Sequence, residues 1–171
     1  TCDPRKRSFM TSRDGQILRE LPCPVLLVKH DISWEGGIVL AAVDPLSEDP
    51  KQQQLNQGVM TLANEIALTV QGQLQVAVAC PSTMMGADPE LQSAELIQEQ
   101  ATLAMEKLLY QLEIPTAIIE AGEGPVEYWV PHVANELEAG LVVIGTRARG
   151  GLKGALLGNT AERILHRINA D

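Results

Sequence analysis

Four short apolar runs are separated by longer segments in which apolar residues recur every three or four positions. The runs are Ile38–Val43, Leu74–Ala79, Thr116–Ile119 and Leu141–Ile144. Three of them are nearly continuous rather than alternating, which is typical of strands buried on both faces in a parallel sheet covered by helices. The pattern therefore predicts four strands, most of them fully buried.

The segments between and after these runs have the apolar spacing of amphipathic helices. They are Lys51–Val70, Pro89–Leu112, Pro125–Ala139 and Thr160–Ile168. The resulting β-α-β-α-β-α-β-α order predicts an α/β fold with a parallel sheet and right-handed crossovers. Ligands of such sheets bind beyond the carboxyl ends of the strands, near the point where the strand order reverses. We therefore expect functional residues at Asp44, 80–82, 121–124 and from Gly145 onward.

Composition narrows the function classes. The 171 residues carry 13 Lys and Arg against 22 Asp and Glu, a net charge of −9, and 45% of them are hydrophobic. This suits one globular domain and argues against non-specific nucleic-acid binding, which needs clustered cations. No apolar run approaches the ~20 residues of a membrane span. The three cysteines show no metal or disulfide spacing. We expect a cytoplasmic protein with neither nucleic-acid nor membrane partners.

The ends of the chain suggest parts of two domains. Residues Ile17–Leu21 followed by Val25–Val28 have the pattern of a helix end, a turn and a strand, and Ile164–Arg167 repeats the helix end. We interpret residues 1–30 as the last helix and strand of a preceding domain, 31–37 as a linker, and 38–171 as a domain that lacks its own final strand.

Glycines and cations cluster between the fourth strand and the last helix, over Gly145–Thr160. Glycine lets backbone N–H groups approach an anion, and Gly158, Asn159 and Thr160 would place further N–H groups at a helix start. Residues 147–167 hold five cations and one anion in an otherwise acidic chain. The run is not a P-loop, because no Gly-Lys-Ser/Thr follows its glycines. Two interpretations are open: a phosphate site, or a glycine-rich surface loop before a capped helix.

Two further features have a functional and a plain structural interpretation. Asp44 ends the first strand, where it could accept hydrogen bonds from a ribose or base, hold a metal through water, or only initiate a turn. Met84 and Met85 follow the second strand and could line an apolar pocket or pack on their own helix. No nucleophile–base pair and no metal-ligand spacing is evident, so we expect a binding protein rather than an enzyme, with weak ATP turnover not excluded.

These residues resemble the universal stress protein family. Its signature is Gly, two residues, Gly, nine residues, then Gly followed by Ser, Thr or Asn. Here the corresponding residues are Gly145, Thr146, Arg147, Ala148, the nine residues 149–157, Gly158 and Asn159. Ile38–Asp44 matches the family's first strand and terminal acid. Trp34–Gly37 and Leu157–Glu162 resemble the second half of a tandem, two-domain branch.

The resemblance implies a Rossmann-like, adenine nucleotide alpha hydrolase-like fold with strand order 3-2-1-4, helices on both faces, and the fifth strand missing from the chain. It also implies binding of ATP, or a related adenine nucleotide, with Mg²⁺. The contacts it carries over are Asp44, Val78 at the adenine wall, Gly145, Arg147, Ala148, Gly158, Asn159 and Thr160. Ala148 replaces the second glycine of the signature, and its methyl would crowd a phosphate.

Two functions follow from this resemblance. The first is a nucleotide-binding module of a stress-response protein. The alternative is a degenerate nucleotide site in a protein that acts by dimerising, by interaction, or by binding an apolar ligand. The family often dimerises through its fifth strand. We therefore expect a homodimer or strand exchange with a second copy, and the hypothesis is that Val25–Val28 fills the vacant edge, within the chain or from that copy.

Overall fold

The computed structural model describes residues 18, 23–80, 93–114, 116–147 and 158–171. Within these residues, four strands alternate with four helices. The elements are β1 (Ile38–Val43), α1 (Pro50–Thr69), β2 (Gln73–Cys80), α2 (Ala94–Gln111), β3 (Ile118–Glu123), α3 (Val126–Glu136), β4 (Leu141–Ile144) and α4 (Asn159–Leu165). The predicted alternation of strands and helices is confirmed.

The four strands form one parallel sheet with the order β3-β2-β1-β4, as the resemblance implied. In the register, Val39 of β1 lies opposite Leu74 of β2 on one side and Leu141 of β4 on the other. The chain passes outward from β1 through β2 to β3 and then returns to the other side of β1. Because the order reverses at β1, a crevice forms at the carboxyl ends of β1 and β4, where the chain leaves the two strands toward opposite faces of the sheet.

Helices cover both faces of the sheet. On one face, Val39, Ala41 and Val76 pack with Met60 of α1 and Met105 of α2. On the other face, a second cluster joins the strands to α3 and α4. It contains Leu40, Ala77, Val130, Val133 and Ile164. Burial on both faces explains why β1 and β2 have nearly continuous apolar sequences.

The third strand differs from its predicted position. The apolar run predicted a strand over Thr116–Ile119, but β3 spans Ile118–Glu123. This outer strand is only partly buried, so its sequence includes glutamates and Gly122 rather than an apolar run. Residues 121–123, which were expected beyond the strand end, therefore lie within the strand. Gly124, at φ 132°, begins the turn into α3.

Three of the four helices begin within one residue of their predicted starts. Asp49 caps α1 by accepting a hydrogen bond from the N–H of Lys51, and Pro125 is the cap residue of α3. The last helix ends at Leu165, three residues before its predicted end at Ile168. The second helix was predicted to begin at Pro89, which itself lies outside the described residues, but α2 begins at Ala94. The Ser93 side chain caps it by accepting a hydrogen bond from the N–H of Leu96.

The last residue of the chain pairs with β4. The N–H of Asp171 donates to the carbonyl of Gly140, and the N–H of Val142 donates to the carbonyl of Asp171. The Asp171 carboxylate also accepts hydrogen bonds from the backbone of Lys29 and His30 and from the Trp34 indole. These contacts attach residues 29–34 to the segment that follows α4.

Val25–Val28 forms no strand, and no strand other than β1 lies beside β4 in the described part of the chain. The hypothesis that Val25–Val28 fills the edge within the chain is therefore wrong. The physical reason is that Asp171 takes the pairing positions at Gly140 and Val142, while Leu26 and Val28 stay more than half exposed. Strand exchange with a second copy remains a prediction, as do the domain bounds 1–30, 31–37 and 38–171.

Gly122 is required by the packing of α3 on β3. A Cβ atom there would lie 2.2 Å from two ring carbons of Trp129, whose indole N–H donates to the Glu120 carbonyl and so fixes the ring. We expect Gly122→Ala to lower the free energy of unfolding by about 1–3 kcal/mol in urea denaturation.

The matched control is Gly58→Ala in α1, where an added Cβ would meet no atom within 4 Å. Because alanine is the better helix former, this variant should gain up to about 1 kcal/mol. Equal stability changes in the two variants would contradict the packing role of Gly122.

Candidate functional site

A cleft of about 1180 Å³ lies at the carboxyl ends of β1 and β4. Its walls are the ends of these two strands, the first turns of α1, and the start of α4, and Gly124 borders it from the loop after β3. This is the position at which parallel sheets of this order bind ligands. Its volume is slightly above the range for small-molecule sites, roughly 300–1,000 Å³.

The cleft brings together seven of the eight predicted site residues. They are Asp44, Val78, Gly145, Arg147, Gly158, Asn159 and Thr160. The eighth, Ala148, lies outside the described residues, as do residues 149–157, Met84 and Met85. The expected crowding of a phosphate by Ala148 therefore stays a prediction.

Asn56 of α1 fixes the backbone at the end of β1. Its side chain is 3% exposed, its Nδ2 donates to the Asp44 carbonyl at 2.6 Å, and its Oδ1 accepts from the Asp44 N–H at 3.2 Å. Gln52 Nε2 also donates to Asn56 Oδ1, at 3.0 Å. These bonds hold Asp44 in place while its side chain stays exposed at the cleft rim.

Asn56 is not among the residues predicted from the sequence, because it lies within a helix and not after a strand. The available signal was a polar residue at a position of the apolar stripe of α1, beside Leu55 and before Val59. A buried amide at such a position must find hydrogen-bond partners, and here the partners belong to the site.

The floor of the cleft is apolar. Val78 of β2 lines it, but this side chain is only 1% exposed and so supports the floor more than it offers contact surface. More accessible surface comes from the half-buried residues Leu46, Leu55 and Ala79. The apolar surface next to Asp44 suits a flat, uncharged group.

The opposite side of the cleft is built from backbone. Thr146 Oγ1 accepts a hydrogen bond from the N–H of Gly158 at 3.1 Å, which joins the end of β4 to the start of α4. A Cβ at Gly145 would lie 2.7 Å from Leu55 Cγ, so glycine allows β4 to end close to α1. The first N–H groups of a helix have no acceptor within it, so those at the start of α4 can serve an anion.

Arg147 lies on the rim with its charge already paired. Its Nη2 is 2.6 Å from Asp49 Oδ2, and its Nη1 donates to Gln52 Oε1 at 3.5 Å. The Lys51 N–H and then the Arg147 guanidinium lower the pKa of the Asp49 carboxyl, while partial desolvation opposes them. No local pattern in the sequence indicates this pair, because Asp49 and Arg147 lie far apart in the chain.

Other chemistry is limited in the part of the chain that the structure describes. Among the described lining residues, Asp44 supplies the carboxylate, and none is a histidine or cysteine. No group of three His, Cys, Asp or Glu residues suited to a metal ion occurs among the described residues. Burial raises the pKa of the Cys80 thiol, which disfavours its reactive thiolate form.

No helix in the described ranges has the length and hydropathy of a membrane span.

Comparison with known proteins identifies the family. The model of the universal stress protein family matches residues 37–171, and the chain belongs to this family. Universal stress protein E of Salmonella typhi and that of Escherichia coli (strain K12) are each 34% identical over 170 residues. Each match covers 95% of this chain and 54% of the relative. The chain thus spans about half the length of the curated relatives it matches, and the expected resemblance is confirmed.

Solved structures agree with this assignment. A putative universal stress protein from Pseudomonas aeruginosa UCBPP-PA14 superposes with a TM-score of 0.77 at 35% identity, over 100% of this chain and 58% of that chain. A universal stress protein in complex with cAMP superposes with a TM-score of 0.55 at 15% identity, over 80% of this chain and 95% of that chain. At that identity, the second match indicates a shared fold alone.

Because Asn56 hydrogen-bonds both backbone groups of Asp44, replacing its amide nitrogen by oxygen should lower the stability of the protein markedly. In Asn56→Asp, a carboxylate oxygen replaces the amide donor that faces the Asp44 carbonyl, within a buried position. We expect the free energy of unfolding to fall by about 1–3 kcal/mol or more, as measured by urea denaturation.

Gln57→Glu makes the same amide-to-carboxylate change at the next, exposed position of α1. It should alter stability by no more than about 0.5 kcal/mol. Similar losses in both variants would mean that the added charge, and not the lost hydrogen bond to Asp44, is responsible.

Proposed function

We propose that this domain is a nucleotide-binding module of a cytoplasmic stress-response protein, and that its ligand is ATP or a related adenine nucleotide. The observation that carries the proposal is the cleft at the reversal point of the sheet. There the Asp44 carboxylate, an apolar floor and the N–H groups at the start of α4 line one space. The related protein crystallised with cAMP supports an adenine nucleotide as the ligand class.

In this proposal the two sides of the cleft bind different parts of the ligand. The base and ribose lie over the apolar floor beside Val78, where the Asp44 carboxylate accepts hydrogen bonds from ribose hydroxyls or the base. The phosphates lie toward Gly145 and the backbone N–H groups of Asn159 and Thr160, next to Gly158, whose own N–H is bonded to Thr146 Oγ1. Ala148 and Arg147 would lie beside the phosphates, as the family signature implies.

A magnesium ion is compatible with this arrangement. Mg²⁺ in nucleotide sites is commonly held by one or two carboxylates, phosphate oxygens and water, and Asp44 offers an exposed carboxylate at the rim. The ion would neutralise part of the phosphate charge in a protein whose net charge is −9. We expect binding without appreciable turnover, because Asp44 alone makes no nucleophile–base pair.

The second candidate function is that of an interaction protein with a degenerate nucleotide site. The observation that favours it is the Arg147–Asp49 ion pair, which removes a cation from the phosphate side. Leu26, Val28 and Ile32, each more than half exposed, offer apolar surface near the start of the domain for a second copy or another partner. Met84 and Met85 remain candidates for lining a site for an apolar ligand.

Thermal unfolding with increasing Mg·ATP, and separately with cAMP, tests the proposal. A ligand at 100 times its Kd should stabilise the protein by about 2.7 kcal/mol. We expect this gain to be lost in Asp44→Ala and in Gly158→Arg, whose long side chain would fill the anion side. No gain at millimolar nucleotide would contradict the proposal and favour the interaction protein.

Two controls separate binding from folding. Gly158→Ala should retain binding, because a Cβ there would lie 3.6 Å from Thr146 Oγ1, an ordinary contact. Asp31→Ala removes an exposed carboxylate outside the residues that line the cleft and should also retain binding. If nucleotide still stabilises Asp44→Ala against thermal unfolding, the ligand binds outside this cleft.

A further inference from the structure

The ion pair between Arg147 and Asp49 connects two different parts of the site. Arg147 follows β4 and lines the cleft, whereas Asp49 caps α1 and is not among the lining residues. The contact is short, at 2.6 Å, yet the two side chains are 46% and 41% exposed. Gln52 accepts a second hydrogen bond from the same guanidinium. Arg147, the described cation at the start of the signature loop, is therefore held by an anion of the protein itself.

This pairing lowers the net positive charge that the described residues offer to a ligand. The described lining residues include two cations, Lys51 and Arg147, and one anion, Asp44. When the Asp49 charge is added, the two cations and two anions cancel. Asp49 stays ionised at neutral pH, because its hydrogen bond from Lys51 and its contact with Arg147 lower its pKa. The described rim thus offers no excess positive charge to a ligand with several phosphates.

We propose that Asp49 is a specificity-determining residue, whose carboxylate competes with the phosphates of a bound nucleotide for the Arg147 guanidinium. The inference rests on the proposed function and deepens it. The competition weakens binding of highly charged nucleoside triphosphates and leaves the nucleoside part of the affinity unchanged. The site is thereby shifted toward adenine ligands that carry little phosphate charge.

The expected change in ATP affinity is small because the Arg147–Asp49 ion pair is exposed to solvent. Ion pairs at this exposure are weak, because water screens them and two long side chains must be ordered. A phosphate can therefore displace Asp49 at a small cost. Removing the competitor should tighten ATP binding by about 2- to 5-fold, the range that corresponds to one exposed pair.

Asp49→Asn is the decisive variant, because asparagine caps a helix about as well as aspartate and so preserves α1. Isothermal titration calorimetry with ATP and with adenosine should show tighter ATP binding and unchanged adenosine binding. Glu48→Gln removes the same charge one residue earlier, from a side chain that is also exposed. It should leave both affinities near the wild-type values. An equal ATP gain in Glu48→Gln, or no gain in Asp49→Asn, would overturn the inference.

A double-mutant cycle tests whether the effect passes through Arg147. Arg147→Met removes the charge and keeps most of the side-chain length. In that background, Asp49→Asn should give no gain in ATP affinity, because no guanidinium is left to release. A gain of the same size in both backgrounds would show that Asp49 acts through the general field and would overturn the inference.

Inorganic tripolyphosphate distinguishes failure of this inference from failure of the proposed function. If Asp49→Asn binds tripolyphosphate more tightly than wild type while neither protein binds ATP or adenosine, the competition stands and the nucleotide function fails. If nucleotides bind but Asp49→Asn has no effect on ATP or tripolyphosphate, the nucleotide function stands and the competition fails. Absence of binding by every probe to both proteins would overturn both.

Discussion

β1 is hydrogen-bonded to a parallel strand on each side and covered by helices on each face. Such a strand must be apolar along most of its length, because neither of its faces meets water. Its neighbours are β2 on one side and β4 on the other. The chain reaches each of them through a helical connection, first outward to β2 and β3 and then back past β1 to β4. The cleft results from this arrangement. The chain leaves β1 toward α1 on one face of the sheet and leaves β4 toward α4 on the other face, so a space remains between the ends of these adjacent strands.

The same constraint explains which elements could be predicted from the sequence. β1 and β4 coincide with their apolar runs, and α1 lies within a residue of its predicted bounds, because burial leaves a continuous or periodic pattern. β3 was misplaced because an outer strand with one exposed edge can carry Glu120 and Gly122. The segment at Val25–Val28 was misassigned because an apolar run alone does not specify its partner, and the edge positions went to Asp171.

Residues of the site were predictable to the extent that they follow strands. Asp44, Gly145 and Gly158 met in one cleft because the carboxyl ends of parallel strands share one edge. The contacts that set their properties were not predictable, because each joins residues brought together only by folding. Asn56 hydrogen-bonds both backbone groups of Asp44, and Asp49 pairs with Arg147. Local sequence therefore predicted which residues line the cleft, and tertiary packing determines the hydrogen bonds and ion pair around them.

The central claim is that the cleft beside β1 is where an adenine nucleotide binds. Chemical-shift mapping of backbone amides during an ATP titration, in the presence of Mg²⁺, tests it most directly. The account predicts that the largest shifts occur at Asp44, Gly145 and Gly158–Thr160, with small shifts at residues 31–35 on the far end of the sheet. Saturable shifts centred on residues 31–35, or no shifts at millimolar ATP, would contradict it.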